Sequence, residues 1–279
     1  MVKKRTKIYP LLSTAAQLKS GIRKAKRKIK KNLSKPEFSI LQGLNRSFAR
    51  GDTSLKKNSV GGFGRQLTPR REKVHNIIIK RHFKDRSTID KNDPDLYVLG
   101  GIAGSGKSEV LAKKIPEKTI VINNDKFKER LAKRNPSPIK RLPLAHAPFL
   151  HDEASVLVQR SIEKARREKR DVTLDKTFKT FDKGKRIIQK FKDEGYDVHF
   201  LGTQKKPHET IPNTASRFIK EGRFVPPGVI AATGNQTSAN VLKARKLTDS
   251  HEIYDTTVKG KPVLIFKSKK DLHHNFRDP

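Results

Sequence analysis

The sequence of 279 residues contains no cysteine. This absence excludes disulfides, zinc sites built from cysteine, and thiol nucleophiles. Long apolar runs are missing as well, since no stretch approaches the roughly 18 consecutive apolar residues of a membrane-spanning helix. The basic N-terminus is followed by only a short apolar stretch that soon meets Lys19, which is not the pattern of a secretory signal. We therefore expect an intracellular protein with no membrane span.

Apolar and acidic residues are both scarce. Hydrophobic residues make up 33% of the chain and charged residues another 33%, which suggests that part of the chain does not join a core. Only 28 acidic residues stand against 64 Lys and Arg, for a net charge of +36. Residues 1–91 hold 26 Lys/Arg and 5 Asp/Glu, or +21, and the remainder carries +15. Such a segment attracts polyanions, nucleic acid first and anionic membranes second, unless it is only a tail that aids solubility.

Within this segment, the spacing of apolar residues predicts a helix over residues 13–33 with Ser13 as its cap. Five apolar residues recur on one face: Leu18, Ile22, Ala25, Ile29 and Leu33. The other faces are basic. Because like charges destabilise an isolated helix, we expect this one to pack on a partner, a duplex or a membrane. Residues 45–71, punctuated by Gly and Pro, predict a linker. We divide the chain into a basic arm with its linker, residues 1–71, and a second domain, residues 72–279.

From Glu72 onward, short apolar runs alternate with helical patterns. Strands are predicted at residues 95–101, 119–125, 171–177 and 197–203, and helices around residues 109–114, 127–131, 153–168 and 184–194. Near the end, HEIYDTT and KPVLIFKS read as two closing strands, which could form a hairpin. This alternation is typical of an α/β domain with a mainly parallel sheet covered by helices on both faces.

The stretch from Gly101 to Ser108 reads GIAGSGKS and fits the P-loop pattern G-x-x-x-x-G-K-[ST], between a predicted strand and a predicted helix. Its glycines let backbone N–H groups turn towards a phosphate, and the following helix points its positive end at the anion. Lys107 would reach the β- and γ-phosphates, and Ser108 would offer its hydroxyl to Mg²⁺. The predicted residues that bind ATP or GTP are Gly101, Gly104, Ser105, Gly106, Lys107 and Ser108. The fold class is thus a P-loop NTPase or kinase fold preceded by a basic, partly helical arm.

Two carboxylates follow predicted strands beside this loop. The second strand ends in Asn123-Asn124-Asp125, and the third ends at Asp175. The carboxyl ends of parallel strands are where ligands bind in open α/β sheets. One carboxylate can accept the proton of an acceptor hydroxyl, and the other can organise water around Mg²⁺ or orient the substrate. The alternative for Asp125 is a helix cap. Neither the Asp-Glu strand end of ATPase motors nor the N-K-x-D motif of GTPases is present.

The order of these pieces resembles the zeta toxin family of P-loop kinases, over residues 94–266. The matching segments are GGIAGSGKS, VINNDKFK, HDEAS, VTLDKTFK and SRFIKEGRFVPP. The basic arm lies outside the resemblance. Asn123 stands where many relatives have an acid, and Lys176 stands where they have glycine, which leaves the identity of the acceptor open.

The resemblance implies a kinase that transfers the γ-phosphate of ATP or GTP to a nucleotide-linked sugar, usually the 3-hydroxyl of UDP-N-acetylglucosamine. It implies Lys107 and Ser108 at the nucleotide and Mg²⁺, with Asp125 as the base. Arg217 and Arg223 would clamp the transferring phosphate. The acceptor would be held by Glu153, Asp175, Thr177 and Lys179. Members of the family act with a small antitoxin that blocks the nucleotide site, so an inhibitor of that kind is an expected partner.

Three functions remain open at this point. The first is a sugar-nucleotide kinase whose basic arm binds nucleic acid. The second is a polynucleotide kinase that phosphorylates a 5′-hydroxyl while the arm holds the strand. The third is a genome-associated protein of a virion or nucleoid, in which the kinase fold is secondary. The expected location is the cytoplasm of a bacterial or phage-infected cell, or the virion.

Overall fold

A mostly parallel β-sheet forms the centre of the molecule. The structure is a computed structural model, and it describes residues 9–62, 64, 66–84, 92–111 and 114–268. Its strands are β1 (Asp95–Gly100), β2 (Ile120–Asn123), β3 (Val172–Lys176), β4 (Asp197–Gln204), β5 (Ser250–Asp255) and β6 (Val263–Lys267). They form one sheet in the order β2-β3-β1-β4-β5-β6. All neighbouring pairs are parallel except β5 and β6, so the four predicted strands and the closing pair are confirmed.

Helices connect and cover these strands. They are α1 (Ala15–Asn32), α2 (Lys35–Ala49), α3 (Ser54–Lys57), α4 (Pro69–Phe83), α5 (Lys107–Leu111), α6 (Asn124–Ala132), α7 (His151–Arg167), α8 (Phe181–Lys192), α9 (Pro207–Glu221) and α10 (Pro227–Ala244). Short 3-10 turns lie at Val60–Gly62 and Arg245–Leu247. The strand β1 is buried along its whole length, as expected of a central strand with helices on both faces. The main apolar core joins the sheet to helices on its faces through residues such as Leu96, Val98, Phe127, Leu157 and Phe200.

The predicted N-terminal helix is present as α1, but its cap is Thr14 and not Ser13. The Thr14 hydroxyl accepts a hydrogen bond from Gln17 N, and the Gln17 side chain accepts one from Thr14 N, which is a capping box. Ser13 is used elsewhere. Its hydroxyl lies 2.9 Å from His208 Nδ1, and its backbone N–H donates to Asn235 Oδ1 at 2.8 Å.

The prediction of a linker over residues 45–71 is wrong. Helix α2 continues to Ala49, α3 follows, and α4 begins at Pro69. Within this range Thr53 and Thr68 are helix caps, because each accepts a hydrogen bond from a backbone N–H in the first turn that follows.

The described part of the arm packs against the second domain. Its apolar residues join a cluster that we call the second cluster, and this is where the predicted helix finds its partner, within the same chain. The buried members are Ala25, Ile29, Leu33, Leu41, Ile102, Ile139, Leu142, Ala145, Ile211, Ala215, Phe218, Phe224 and Ile230. The division into residues 1–71 and 72–279 as folding units stays a prediction. None of the described helices is long and apolar enough to cross a membrane.

Candidate active site

The loop between β1 and α5 has the backbone that the glycine pattern predicts. Gly101, Gly104 and Gly106 have φ values of +153°, +81° and +84°. A Cβ on Gly101 would lie 2.2 Å from Thr203 Oγ1, and one on Gly104 would lie 2.8 Å from the carbonyl oxygen of Thr210. Glycine is therefore required at both positions by the backbone conformation and by the space available.

Polar contacts fasten this loop to the ends of two strands. The Ser105 and Thr203 hydroxyls are 2.7 Å apart, and the Thr256 hydroxyl donates to the Ser105 carbonyl at 2.6 Å. The Lys107 ammonium donates to the Gly101 carbonyl at 2.8 Å and to the next carbonyl at 3.3 Å. It thus lies over the loop, where a phosphate would compete for it. Ser108 is exposed in the first turn of α5.

Asp175 lies at the end of β3, directly opposite Asn123 at the end of β2. The Asn123 amide donates to Asp175 Oδ2 at 2.9 Å, and Asn123 Oδ1 accepts from Asp125 N at 2.7 Å. Asn123 is therefore the N-cap of α6, and the alternative of Asp125 as the cap is not what the structure contains. Burial raises the pKa of Asp175, and the Asp125 carboxylate adds to this rise, while Lys107 opposes it.

Asp125 sits in the first turn of α6, with its side chain 32% exposed. Its carboxylate lies 3.2 Å from Lys128 Nζ and 3.3 Å from Arg223 Nη1. Burial would raise the pKa of Asp125, but Lys128, Arg223 and Arg217 together outweigh it, so the pKa is lowered. The two carboxylates at this sheet edge therefore have pKa values that are pushed in opposite directions, as is typical of groups with different roles in acid–base chemistry.

The two predicted arginines approach the same edge from α9 and the segment after it. Arg223 bridges Asp125 and Glu129, at 3.3 Å and 2.6 Å. Arg217 lies 3.4 Å from Glu221 on its own helix, and its charge favours the ionised forms of both Asp125 and Asp175. The structure thus brings Lys107, Asp125, Asp175, Arg217 and Arg223 to one edge of the sheet.

Glu153 is placed differently from the other predicted residues. Its side chain is fully buried, and it accepts hydrogen bonds from Arg71 at 2.5 and 3.1 Å, with His75 Nε2 at 2.9 Å. Burial opposes ionisation, but the hydrogen bonds of His75 and Arg71 prevail and hold the pKa of Glu153 at about 2. The carboxylate joins α7 to α4 in this structure, and a direct contact with an acceptor stays a prediction.

Thr177 and Lys179 are exposed on the turn after β3. The residue between them, Phe178, is buried with a φ of +59°, which is uncommon for a bulky side chain. The Asn240 amide donates to the carbonyl oxygens of Phe178 and Lys179 at 2.9 and 3.2 Å. The turn is therefore anchored from below, and its two predicted acceptor residues face outward beside the site.

Several residues beside the site were not predicted. Lys128 contacts Asp125, and Asn213 donates to the Gly104 carbonyl at 3.2 Å. His151 lies near both Lys128 and Asp125. Desolvation of its imidazole, together with the charge of Lys128, lowers its pKa to about 4. Lys128 carries a sequence signal, since it is three residues after Asp125 on a helix. Asn213 carries none, because it comes from an element far away along the chain, and His151 begins the matching segment HDEAS, in which only Glu153 was predicted to act.

The site also offers oxygen ligands for a magnesium ion. Among the described residues, no three His, Cys, Asp or Glu side chains cluster as a complete protein cage for a metal. Magnesium in phosphoryl-transfer sites does not need such a cage, because it keeps several waters and is bound through one or two protein oxygens plus phosphates. The exposed hydroxyl of Ser108 and the carboxylate of Asp175 fit that donor set.

A sequence model of the family described as Zeta toxin matches residues 80–271. A search of curated proteins returns no match. Among solved structures, one from the PezAT chromosomal toxin–antitoxin system of the human pathogen Streptococcus pneumoniae is 16% identical, with a TM-score of 0.54, over 74% of this chain and 83% of that chain.

Two further structures contain AvrRxo1-ORF1 together with AvrRxo1-ORF2. The one with sulphate ions is 19% identical, with a TM-score of 0.55, over 73% of this chain and 69% of that chain. The one with ATP is also 19% identical, with a TM-score of 0.53, over 72% and 68% of the two chains. At such identities these structures show the fold alone, and it is the predicted α/β fold with a mostly parallel sheet.

Proposed function

Because the chain belongs to the zeta toxin family and is a P-loop phosphotransferase, we propose that it transfers the γ-phosphate of ATP or GTP to a hydroxyl of a nucleotide-linked sugar such as UDP-N-acetylglucosamine. The observation that carries the proposal is the convergence of one lysine, two carboxylates and two arginines at the carboxyl edge of the sheet, beside the P-loop. Phosphoryl transfer needs this set, because it depends on positioning and on stabilising spread negative charge.

The donor nucleotide lies on the P-loop in this proposal. The residues that cradle its phosphates are Gly101, Gly104, Ser105, Gly106, Lys107 and Ser108. The Lys107 ammonium leaves its two carbonyl acceptors and contacts the β- and γ-phosphates. The related AvrRxo1 structure with ATP supports ATP as the donor. The ordered hydroxyl contacts behind the loop, such as that of Ser105, keep its backbone in place when the nucleotide arrives.

Asp125 is the proposed base. Its lowered pKa keeps it ionised near neutral pH, so it can accept a proton. The acceptor hydroxyl loses that proton to Asp125 as its oxygen bonds to the γ-phosphorus, and the bond to the β-phosphate oxygen breaks to release the nucleoside diphosphate. Arg217 and Arg223 stabilise the charge on the transferring group.

Ser108 would hold a magnesium ion directly beside these residues, and Asp175 would hold it through water. The ion would supply positive charge that offsets the negative charge of the phosphates. Thr177 and Lys179, exposed beside Asp175, are the proposed contacts to the acceptor. Glu153 is also proposed to act on the acceptor side of the site. Because Arg71 and His75 occupy both of its carboxylate oxygens, it would act there indirectly, by holding α7 in place.

We also propose a small protein inhibitor that covers the nucleotide site. The likeness to a structure from a toxin–antitoxin system supports this partner. An inhibitor of this kind would make a stable complex with the whole chain and would prevent ATP binding.

A nucleic-acid partner is a second proposal, and one observation favours it. Seven cations on the outer side of α1 are exposed and form no ion pair among the residues that the structure describes. They are Lys19, Arg23, Lys24, Lys26, Arg27, Lys30 and Lys31. Unpaired cations in a row favour a polyanion. This arm would serve either the sugar-nucleotide kinase, the alternative 5′-hydroxyl kinase or a genome-associated role.

The experiment that separates these functions is label transfer from γ-labelled ATP. Sugar nucleotides and oligonucleotides with a free 5′-hydroxyl are offered separately to the full chain, with Lys107→Ala as the control. We expect label on the sugar nucleotide and none with Lys107→Ala, whose side chain contacts loop carbonyls rather than the core. Label on the oligonucleotide alone would overturn the acceptor, and label retained by Lys107→Ala would overturn the P-loop assignment.

A further inference from the structure

The P-loop packs on the second cluster on the side away from the phosphate site, and the arm contributes apolar residues to this cluster. Ile102, the second residue of the loop, is 4% exposed and belongs to this cluster together with Ala25 and Ile29 of α1. Two other members are Phe218 and Phe224, which directly follow Arg217 and Arg223 in the chain. Apolar side chains from the arm therefore back the loop and both arginines at once.

Helix α1 lies close against α9. A Cβ added to Gly21 would be 2.8 Å from the His208 carbonyl oxygen and 3.4 Å from the Ile211 side chain, so the two helices meet where glycine permits it. The Ser13 hydroxyl accepts a hydrogen bond from His208 N at 3.1 Å. At a later turn of α1, Lys28 donates to the hydroxyl of Ser216 at 2.7 Å, next to Arg217.

Helix α9 in turn touches the P-loop. The Asn213 amide donates to the Gly104 carbonyl at 3.2 Å. A Cβ on Gly104 would be 2.8 Å from the Thr210 carbonyl and 2.9 Å from the Thr214 methyl group. This part of the loop therefore packs directly on α9, which in turn packs on α1.

We propose that α1 is a positioning element of the active site, which fixes the P-loop and the two arginines through α9 and the second cluster. Gly21 is its key positioning residue, and it does not touch the nucleotide. The inference rests on the proposed function only as far as ATP binding on the P-loop, and it does not depend on the acceptor. A domain that starts at residue 72 would lack this element.

The test compares two matched substitutions in the full chain, Gly21→Ala and Gly43→Ala. Both glycines lie inside arm helices, and both changes improve helix propensity alike. A Cβ on Gly43 meets nothing within 4 Å, whereas one on Gly21 meets the backbone of α9. The readouts are the ATP dissociation constant, from a fluorescent ATP analogue, and the kcat and KM for ATP turnover, all measured well below the melting temperature of each protein.

For Gly43→Ala we expect wild-type values. For Gly21→Ala we expect kcat/KM for ATP to fall about tenfold, and for Gly21→Val about 100-fold, because small displacements of catalytic groups cost rates of this size. The circular dichroism spectrum should stay native. If Gly21→Val does not fold, the double variant Ser13→Ala with Lys28→Met replaces it in the test. Its kcat/KM for ATP is expected to fall about tenfold. Native spectra with wild-type ATP affinity and turnover in these variants would overturn the proposal. Wild-type ATP binding without transfer to sugar nucleotides would instead overturn only the acceptor.

Discussion

At the scale of single residues, the environment of Asp125 decides its chemistry. Lys128 and Arg223 lie within 3.3 Å of its carboxylate, and together with Arg217 they favour ionisation by more than burial opposes it. Asp175, on the neighbouring strand, has a pKa that burial raises. The Asp125 carboxylate is thus held in its ionised form, as the proposed base must be, whereas the protonated form of Asp175 is favoured relative to an ordinary aspartate.

The substitution Asp125→Asn should reduce kcat by roughly 10²–10⁴-fold, which is the usual effect of removing a general base. The nucleotide dissociation constant should change little, because the base acts on the acceptor and not on the donor. Steady-state kinetics and ATP binding of the same preparation check this. An unchanged kcat would mean that Asp125 is no base.

The substitution Lys128→Met should move the acid limb of kcat/KM to higher pH. Removing this cation raises the pKa of Asp125, so a larger share of the base is protonated and inactive at any acidic pH. A pH–rate profile of the wild type and the variant checks the direction. Lys133→Met at the other end of α6 serves as the control and should leave the limb in place. A shift of the limb to lower pH would contradict the assignment.

At the scale of elements, the contact between α4 and α7 depends on a buried charge. Glu153 is fully buried and binds both Arg71 and His75. Removing one partner from such a cluster leaves a charge buried without compensation. Glu153 lies in the first turn of α7, so its contact with α4 also helps to fix the position of that turn.

The substitution Glu153→Gln should lower the free energy of unfolding at pH 7 by roughly 3–5 kcal/mol. In the wild type, the pKa of Glu153 falls from its ordinary value of 4.5 to about 2 on folding. The stability that this shift supplies, about 3 kcal/mol, is present above pH 4.5 and is lost as the pH falls towards 2. Urea unfolding at several pH values checks this. The variant should lack this part of the acid slope, and the control Glu163→Gln, on the exposed side of the same helix, should keep it.

Some elements could be predicted from the sequence and others could not. The strands β1 to β4 are short apolar runs between polar turns, so their pattern is visible locally. Helix α10 is not, because its buried face carries Thr237, Ser238 and Asn240 instead of a regular apolar stripe. Helix α9 contains Pro212, which is a signal against helix. Tertiary packing, such as Gly234 against Pro207, makes these helices stable where propensity does not.

At the scale of the whole molecule, the predictable part of the site is the part that lies near the motif. The P-loop and the two carboxylates follow strands that the pattern places side by side. The contacts of Asn213 and Thr203 with the loop depend on helices and strands about 100 residues later, and in a chain with 64 Lys and Arg no single cation stands out. The partner of the arm was equally unpredictable, because an apolar helix face predicts packing but does not specify the surface that covers it.

The seven exposed cations of α1 form no ion pair among the described residues, and the proposed binding of a polyanion to them should depend on salt. Each duplex phosphate neutralised costs about 0.9 log units of affinity per log unit of salt. Replacing Lys24, Lys26 and Arg27 by Gln should therefore reduce the slope by roughly 2 to 3, measured by fluorescence anisotropy with DNA and RNA.

The control for this experiment replaces Lys185, Arg186 and Lys190 of α8 by Gln. It removes the same charge from another exposed helix, and we expect the slope to stay near that of the wild type. An equal decrease of the salt slope in both triple variants would mean that net charge alone determines the binding. A full chain whose affinity does not change with salt would mean that the outer side of α1 has no nucleic-acid role.

The pairing of α1 with α9 also has a consequence for synthesis on the ribosome. Ser13 and His208 are 195 residues apart in the sequence, and at about 5–20 residues per second the second partner emerges roughly 10–40 seconds after the first. During that interval the highly basic, amphipathic α1 lies outside the exit tunnel with its apolar face not yet covered by α9. The P-loop emerges in the meantime, but its support arrives only with the last third of the chain, so a nascent chain acquires its catalytic site late.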